Sequence, residues 1–563
     1  MTDSATGGFP GKDLTHRQIL TILAGLMIGM FLAALDQTIV STAIRTIADD
    51  LNGYDMQAWV TTAYLVTSTI VTPLYGKLSD IYGRKPFFLA AITIFILGSL
   101  ACSVATSMYE LAAFRAVQGL GAGGLMTLAL TTIADIVPPR ERAKYQGYFL
   151  AVFGTSSVLG PVLGGLFAGA DSIIGISGWR WVFLVNVPIG IIALGVVYKV
   201  LNYPQQKLAG HRTDYWGATA VAVTVAPLLI VAEQGREWGW TSVASIICYV
   251  IGLVGLVVFI LVERAMGDEA IIPLRVFSNR VFSQGVLISV VVGAVMFGGI
   301  SMLPQYFQVL RGSSPMVAGL QMLPMVLGMM SASILSGQLI SRTGRYKIYP
   351  IIGSILITAM AFLLHFVGTE TPLYLVMLAA AALGFGLGNL MQPMMLAMQN
   401  ILPMRDVGMA TGTATFFRQI GGTLGVAVFF SLLFSTMGVN ITDEMTEAAQ
   451  HPEFKAAVAE AVRSDDPDVA GFGKALVAAG QGTPVGDAAD TSSVMSDTTI
   501  IEKLPEGLSH PIRQGFADSM DKVFLSVSIL SLLSIIGTIT WTEVPLRTRA
   551  SKPDEKPEVS AEA

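Results

Sequence analysis

Two ionisable residues interrupt apolar stretches of the sequence and are the first candidates for chemistry. Asp36 lies about six residues past the middle of the run 17–43, and Arg115 lies about five residues into the run 110–133. An ionised carboxylate in hydrocarbon is costly, so Asp36 is expected to bind and release a proton under physiological conditions. Arg115 stays charged and favours ionised Asp36 when the two are close. We therefore predict that this pair couples a proton to a conformational change, with Gln118 as a hydrogen-bonding neighbour one turn from Arg115.

Each of these two residues also has a plainer interpretation. Asp36 would serve only as a structural tie if a cation neutralised it permanently. Arg115 would have no coupling role if its side chain extended to the membrane interface. The sequence alone leaves both alternatives open.

A charged loop between two apolar runs forms the second group of candidates. It reads GKLSDIYGRKP from Gly76 to Pro86. The two glycines suit a close helix approach and a turn with positive φ. Asp80 and Arg84 are expected to pair with each other across the turn or with charges on the next loop, such as Asp135 or Arg142. We predict a conformational latch at Gly76, Asp80, Gly83, Arg84 and Lys85. The alternative is that these cations only set the topology.

The frame of this loop recurs later in the chain as GQLISRTGRYK, from Gly337 to Lys347. Each copy follows the second span of a six-span group. The recurrence predicts two related six-helix halves, as in transporters built from parallel repeats. The second copy adds Gly337, Gly344 and Arg345 to the predicted latch.

Other polar or small residues inside apolar runs are also candidates. The run LGPVLGG gives a narrow helix face at Gly160, Pro161, Gly164 and Gly165, where another helix can approach and slide. Candidates for lining a substrate cavity, or for helix-to-helix hydrogen bonds, are Tyr64, Gln118, Gln305, Asn389, Gln392 and Arg418. For Arg418, the sequence does not decide between the cavity and the interface.

The composition determines the class of protein that must position these residues. Of 563 residues, 53% are hydrophobic and 13% charged, which is typical of an integral membrane protein. Both cysteines lie in apolar runs, and we find neither metal-ligand spacing nor a phosphate-binding loop. We therefore expect no cofactor, no metal, no enzymatic activity and no direct use of ATP.

The predicted fold is an all-α integral membrane protein with 14 spans, arranged as two six-helix bundles with two extra central transmembrane helices. The spans are predicted near 17–43, 57–76, 86–106, 110–133, 145–169, 181–201, 214–233, 242–264, 281–306, 315–340, 348–367, 372–398, 408–436 and 519–542. Lys and Arg occupy alternate loops, which places both termini in the cytosol.

The predicted domains follow from these spans. They are a cytosolic N-terminus at 1–16, an N-terminal bundle at 17–201, a linker with the two extra helices at 202–280, a C-terminal bundle at 281–542 and a disordered cytosolic tail at 543–563. The segment 438–514 carries 13 Asp or Glu against 5 Lys or Arg and is predicted to be an extracytoplasmic acidic loop. We interpret it mainly as a solvated tether with short surface helices at TDEMTEAAQ and PEFKAAVAEAVR, and as coil over QGTPVGDAADTSSVMSD. The alternative is a cap or a partner-binding site.

Four motifs together resemble the major facilitator superfamily, and within it the fourteen-span drug/proton antiporters. They are LDQTIV (35–40), GKLSDIYGRK (76–85), FRAVQGLGAGG (114–124) and LGPVLGG (159–165). Ser79, Ile81 and Ser156 depart from the usual patterns. The resemblance spans Leu35 to Trp541 and implies a proton-coupling role for Asp36 and Arg115, and an antiport role for the Gly-Pro motif.

The resemblance implies an exporter of amphipathic, often cationic drugs or dyes that works by alternating access in exchange for protons. The expected partners are a small amphipathic substrate, protons and the lipid bilayer, with no nucleic acid, and the chain is expected to be a monomer in a bacterial plasma membrane. Alternatives are an exporter of a lipid or cell-envelope metabolite, a nutrient importer, and a non-transporting scaffold that acts through the outer loop.

Overall fold

The chain folds into helices joined by short connections, with a small β-hairpin before α6. The computed structural model describes residues 15–51, 56–137, 139–202, 214–403, 406–479 and 500–546. The helices are α1 (His16–Asp50), α2 (Gln57–Tyr82), α3 (Arg84–Ser103), α4 (Met108–Ile136), α5 (Pro139–Ala168), α6 (Trp181–Leu184), α7 (Asn186–Val200), α8 (Tyr215–Trp238), α9 (Val243–Met266), α10 (Arg280–Gln305), α11 (Pro315–Gln321), α12 (Leu323–Thr343), α13 (Ile348–Leu364), α14 (Leu373–Asn400), α15 (Val407–Ala448), α16 (Pro452–Val462), α17 (Pro467–Ala479), α18 (Ile500–Lys503) and α19 (Glu506–Thr540). Strands β1 (Ser172–Ile173) and β2 (Ile176–Ser177) pair antiparallel.

The prediction of an all-α membrane protein is confirmed. Within the described ranges, twelve helical segments are long and apolar enough to cross a membrane. Each of the fourteen predicted windows contains a helix, but α13 is a shorter apolar helix of 17 residues, and α2 is not among the twelve. The total of fourteen spans therefore stays a prediction.

The helices form two packed groups linked by helix pairs. In the N-terminal group (α1–α7), α1 packs on α5 and α7, and α4 packs on α2 and α3. In the C-terminal group (α10–α15 and α19), α14 packs on α12 and α13, and α15 packs on α10 and α19. The pairs α2–α15 and α5–α12 join the groups, and the α8–α9 hairpin packs through α8 against α2 and α15 at Val66, Val225 and Phe416.

Helix ends follow local sequence signals. Ser107 caps α4 by accepting a hydrogen bond from the backbone N–H of Glu110, and the Glu110 carboxylate accepts one from the backbone N–H of Thr106. Gly83 ends α2 with φ 101°, and Gly344 ends α12 with φ 75°. Both glycines thus adopt the positive φ that the sequence predicted for the first of them.

The interpretation of the outer segment as a solvated tether is wrong for its described part. Helix α15 has 42 residues and is about 63 Å long, twice the thickness of a hydrocarbon layer, and it includes most of TDEMTEAAQ. The stretch PEFKAAVAEAVR forms the predicted separate helix, α16. Apolar side chains pack these helices together, among them Phe454, Phe472, Leu476, Ile501, Leu508 and Phe516. The tether prediction failed because the apolar residues that pack these helices are separated by many acidic residues, so the segment reads as solvated. The predicted coil at 481–497 lies outside the described residues.

The predicted terminal segments are described only in part. Residues 1–14 and 547–563 lie outside the described ranges, as do 203–213 of the linker. The first residues of the predicted disordered tail are packed instead: the Glu543 carboxylate accepts hydrogen bonds from the backbone N–H groups of Tyr346 (2.7 Å) and Lys347 (3.1 Å). The tail prediction is therefore wrong for residues 543–546.

Candidate functional site

Asp36 and Arg115 meet in the interior of the N-terminal group. An Arg115 Nη1 atom on α4 lies 2.5 Å from an Asp36 carboxylate oxygen on α1. The Asp36 side chain is fully buried and that of Arg115 is 2% exposed. The two candidates from the sequence therefore form an ion pair sequestered from solvent, and Arg115 does not extend to the interface.

Three donors surround the Asp36 carboxylate. Besides Arg115, the amide nitrogens of Gln118 (2.8 Å) and Asn186 (2.7 Å) donate to its other oxygen. These contacts suit an ionised carboxylate, because all three donors stabilise its negative charge. No part of Asp36 reaches solvent in this conformation.

A second ring of residues positions those donors. Ser99 of α3 accepts hydrogen bonds from the amides of Gln118 (3.2 Å) and Asn186 (3.0 Å) and donates to the Phe183 carbonyl (2.9 Å). The Tyr64 ring lies under the Arg115 guanidinium, 4.1 Å from ring centre to Cζ. This cation–π contact helps to hold the arginine in place.

Sequence reasoning missed two members of this cluster. Asn186 was overlooked although it is an amide inside an apolar run, the same signal that marked Asn389. Ser99 gave no signal, because serines are common in membrane helices. Gln118 is the predicted hydrogen-bonding neighbour of Arg115, which donates to its side-chain oxygen (2.7 Å). Tyr64 and Gln118 were also cavity candidates, and both lie in the buried ion-pair cluster.

The Gly-Pro run of α5 packs against α1 beside this cluster. A side-chain carbon on Gly160 would overlap Thr38, two residues from Asp36, and one on Gly164 would lie 2.9 Å from the Ile39 carbonyl oxygen. Gly165 has open space around its Cα. On another side of α5, Pro161 packs against Gly319 of α11. Helix α5 therefore contacts both the Asp36 segment and the C-terminal group.

The first charged loop forms an ion-pair network at the face predicted to be cytosolic. Arg84 pairs with Asp80 and with Asp135 (Nε to Oδ2, 2.8 Å), as the sequence predicted. Asp80 in turn accepts a hydrogen bond from the Met409 backbone N–H (3.0 Å) in the first turn of α15. A carboxylate at a helix N-terminus is favourable, and here it joins the two groups of helices. Gly76 permits this approach, because a Cβ there would lie 2.6 Å from the Gly408 carbonyl oxygen.

Two further cations of this face are held by neutral oxygens. Lys85 donates to the Tyr198 carbonyl (2.7 Å) and the Asn202 side chain (2.6 Å) near the end of α7. Arg142 is fully buried; it donates to the Ala134 carbonyl (2.7 Å) and to the Gln399 side chain of α14. Arg142 thus forms a second link between the two groups of helices.

The second copy of the loop keeps the turn but lacks the acid. Ser341 stands in the frame where Asp80 stands in the first copy, and Arg345 is exposed, with no ion pair among the described residues. Gly337 is buried in α12. The turn is instead fixed by Glu543, from the segment after α19.

Arg418 faces a cavity within the C-terminal group. The cavity is narrow, with a volume of about 10 Å³, and is formed by α10, α14 and α15. Its lining includes Ser289, Met391, Met394, Met395, Met398 and Arg418. Of the other candidates, Gln305 and Gln392 are half-buried, and buried Asn389 donates to the Phe385 carbonyl (3.0 Å). Asn389 therefore makes a bond within its own helix.

Comparisons with known proteins give a consistent family. The model of the Major Facilitator Superfamily matches residues 26–426. The multidrug transporter protein MdtP of Bacillus subtilis is 36% identical over 398 residues, covering 70% of this chain and 72% of that protein. The uncharacterized MFS-type transporter Rv1877 of Mycobacterium tuberculosis is 33% identical over 529 residues, covering 93% and 70%. The solved structure of the proton:xylose symporter XylE aligns with a TM-score of 0.55 at 15% identity, covering 96% of this chain and 99% of that one, and shows the shared fold.

Proposed function

Because the chain belongs to the Major Facilitator Superfamily of membrane transporters, we propose that it is a proton-coupled exporter of amphipathic small molecules such as drugs or dyes. The observation that carries this proposal is the buried Asp36 carboxylate, held by three donors that suit its ionised form. A group of this kind binds a proton only when its surroundings move. Proton binding and helix movement are therefore linked at one residue.

The contacts support a specific order of events. In this conformation three donors hold the Asp36 carboxylate. The contacts Asp80 to Met409 and Arg142 to Gln399 join the two groups at the predicted cytosolic face. A proton that reaches Asp36 from outside removes its attraction to Arg115 and frees α1. Because α5 packs on both α1 and α12, the movement is transmitted to the C-terminal group. The cytosolic contacts then break, the proton leaves inward, and substrate enters.

The available driving force is sufficient for such a cycle. A proton that moves inward across 100 mV releases about 2.3 kcal/mol. Each unit of pH difference adds about 1.4 kcal/mol. Together they support a substrate gradient of more than a hundredfold for one proton per cycle. We further propose that the protein acts as a monomer in a bacterial plasma membrane with both termini in the cytosol.

The test is transport by purified protein in phosphatidylcholine vesicles with an acidic lumen. The probe is an uncharged dansyl amide, and the readout is its accumulation with and without a protonophore. We expect wild type to accumulate the amide only without the protonophore, and Asp36→Asn and Arg115→Ala to lose at least nine-tenths of this activity. Asp171→Asn, which removes an exposed acid, serves as the matched control and should be unaffected. Wild-type accumulation by Asp36→Asn would refute the proposal.

A further inference from the structure

The Arg418 cavity lies near the middle of the predicted membrane, the depth at which transporters commonly bind substrate. Arg418 is eleven residues after the start of α15, which places it about 17 Å along the helix from the predicted cytosolic face. That distance is near the middle of a hydrocarbon layer of about 30 Å. A charged side chain such as Arg418 is costly at this depth, and charged residues inside a membrane usually mark a functional site.

The arginine in this cavity has unused hydrogen-bonding capacity. Among the described residues, Arg418 has no ion pair and its guanidinium makes no hydrogen bond, whereas Arg115 is paired with Asp36. A guanidinium carries five N–H donors and no acceptor. The site therefore favours a group that accepts hydrogen bonds, and a negative charge most strongly. A cation placed here would be repelled.

The remaining lining of the cavity suits an apolar partner of variable shape. Four methionines contribute flexible, polarisable thioethers that pack well against aromatic rings. In this conformation the cavity has a volume of about 10 Å³, which is room for about one water molecule and far below the roughly 300–1,000 Å³ of sites that enclose a drug-sized molecule. Binding of one end of an amphipathic molecule therefore requires α10, α14 and α15 to move apart.

We propose that Arg418 and its methionines bind the anionic or hydrogen-bond-accepting end of the exported molecule, so that this transporter prefers anionic and neutral amphiphiles over cations. The inference rests on the proposed export function and revises the cationic preference expected from the sequence. It also has an electrical consequence. Exchange of one proton for a monoanion moves two elementary charges inward per cycle, whereas exchange for a monocation moves none.

The test uses three dansyl probes with the same linker, ending in a carboxylate, an amide or a trimethylammonium group. Vesicles with an acidic lumen report the initial rate of accumulation for wild type, Arg418→Gln and Arg418→Lys. We expect wild type to transport the carboxylate about tenfold faster than the trimethylammonium probe, which is the ratio given by one charge-assisted hydrogen bond. Arg418→Gln should lose this ratio and should transport the amide more slowly than wild type, because the amide also accepts a hydrogen bond. Arg418→Lys should keep most of the ratio.

The outcomes separate the two proposals. If wild type accumulates none of the three probes, the export function itself fails. If wild type accumulates the amide but prefers the trimethylammonium probe, or if Arg418→Gln keeps the wild-type ratio, the assignment of Arg418 is overturned and the export function stands. Retained amide transport by Arg418→Gln shows that this variant is folded.

Discussion

The two groups of helices treat their charges differently. In the N-terminal group, Arg115 is paired with Asp36 near the membrane centre, and Arg84 is paired with Asp80 and Asp135 at the predicted cytosolic face. In the C-terminal group, Arg418 and Arg345 have no ion pair among the described residues. The N-terminal group therefore neutralises its central arginine and the first arginine of its loop with acids, although its buried Arg142 relies on neutral oxygens. The C-terminal group presents uncompensated positive charge at Arg418 to a cavity and at Arg345 to solvent.

The repeated sequence frame preserves a glycine with positive φ but not the charge. Gly83 and Gly344 both adopt positive φ at the same place in the frame, although ψ is 155° at Gly83 and −7° at Gly344. The ion pair is present only in the first copy, because Ser341 replaces the acid in the second. We infer that the N-terminal group carries the proton and the latch, and that the C-terminal group contributes recognition of the substrate.

The largest difference between the two groups is expected when the arginine in the interior of each group, Arg115 or Arg418, is replaced. Arg115→Met should lower the free energy of unfolding by about 3–5 kcal/mol, because it leaves a buried carboxylate unpaired. Arg418→Met should change it by less than about 1 kcal/mol, because no acid loses a partner there. Thermal unfolding in detergent checks both. Adding Asp36→Asn to Arg115→Met should restore most of the stability but not proton-driven transport. Equal losses for the two single variants would contradict the comparison.

The two loop arginines give a second matched pair. Arg84→Gln leaves Asp80 and Asp135 facing each other and should destabilise the protein by about 2–4 kcal/mol. It should also speed amide hydrogen exchange in the first turn of α15, where Met409 donates to Asp80. Arg345→Gln, at the same place in the exposed copy, should stay within about 0.5 kcal/mol. If the amide hydrogen exchange rate at Met409 is unchanged in Arg84→Gln, the proposed latch is refuted.

Two glycines of α5, Gly160 and Gly165, test whether close packing of α5 on the Asp36 segment of α1 is needed for transport. Gly160→Ala inserts a methyl group into Thr38 and should cost about 1–3 kcal/mol and most of the transport rate. Gly165→Ala meets open space and should preserve both stability and transport. Export rates and unfolding temperatures are measured side by side. If Gly160→Ala transports normally, close packing of α5 on α1 is not needed for coupling.

The smallest expected effect concerns the aromatic ring beneath Arg115. Tyr64→Leu removes the cation–π contact and should cost about 0.5–2 kcal/mol of unfolding free energy, with a moderate loss of transport. Tyr64→Phe keeps the ring and should behave like wild type, since the hydroxyl makes only a long bond to the Ala33 carbonyl (3.4 Å). A larger defect in Tyr64→Phe than in Tyr64→Leu would assign the role to the hydroxyl.

Much of this organisation follows from the sequence. Long apolar runs predicted the helical windows, and isolated charges within them predicted the Asp36 and Arg115 pair, because burial of a charge in hydrocarbon demands a partner. The partners Asn186 and Ser99 could not be selected in the same way, since neutral polar residues are tolerated in many membrane helices. The packing of the outer segment was also missed, because its contacts join residues that are far apart in the chain, such as Ala457 and Gly507.

The most direct test of the central claim counts protons that move with substrate. Vesicles that contain a pH indicator, with no initial pH difference and the membrane potential held at zero, receive an outward gradient of the dansyl amide. The account predicts that wild type generates a pH difference as the amide leaves, whereas Asp36→Asn lets the amide pass with no pH change. A pH change in Asp36→Asn at the wild-type rate would contradict the assignment of proton coupling to this carboxylate.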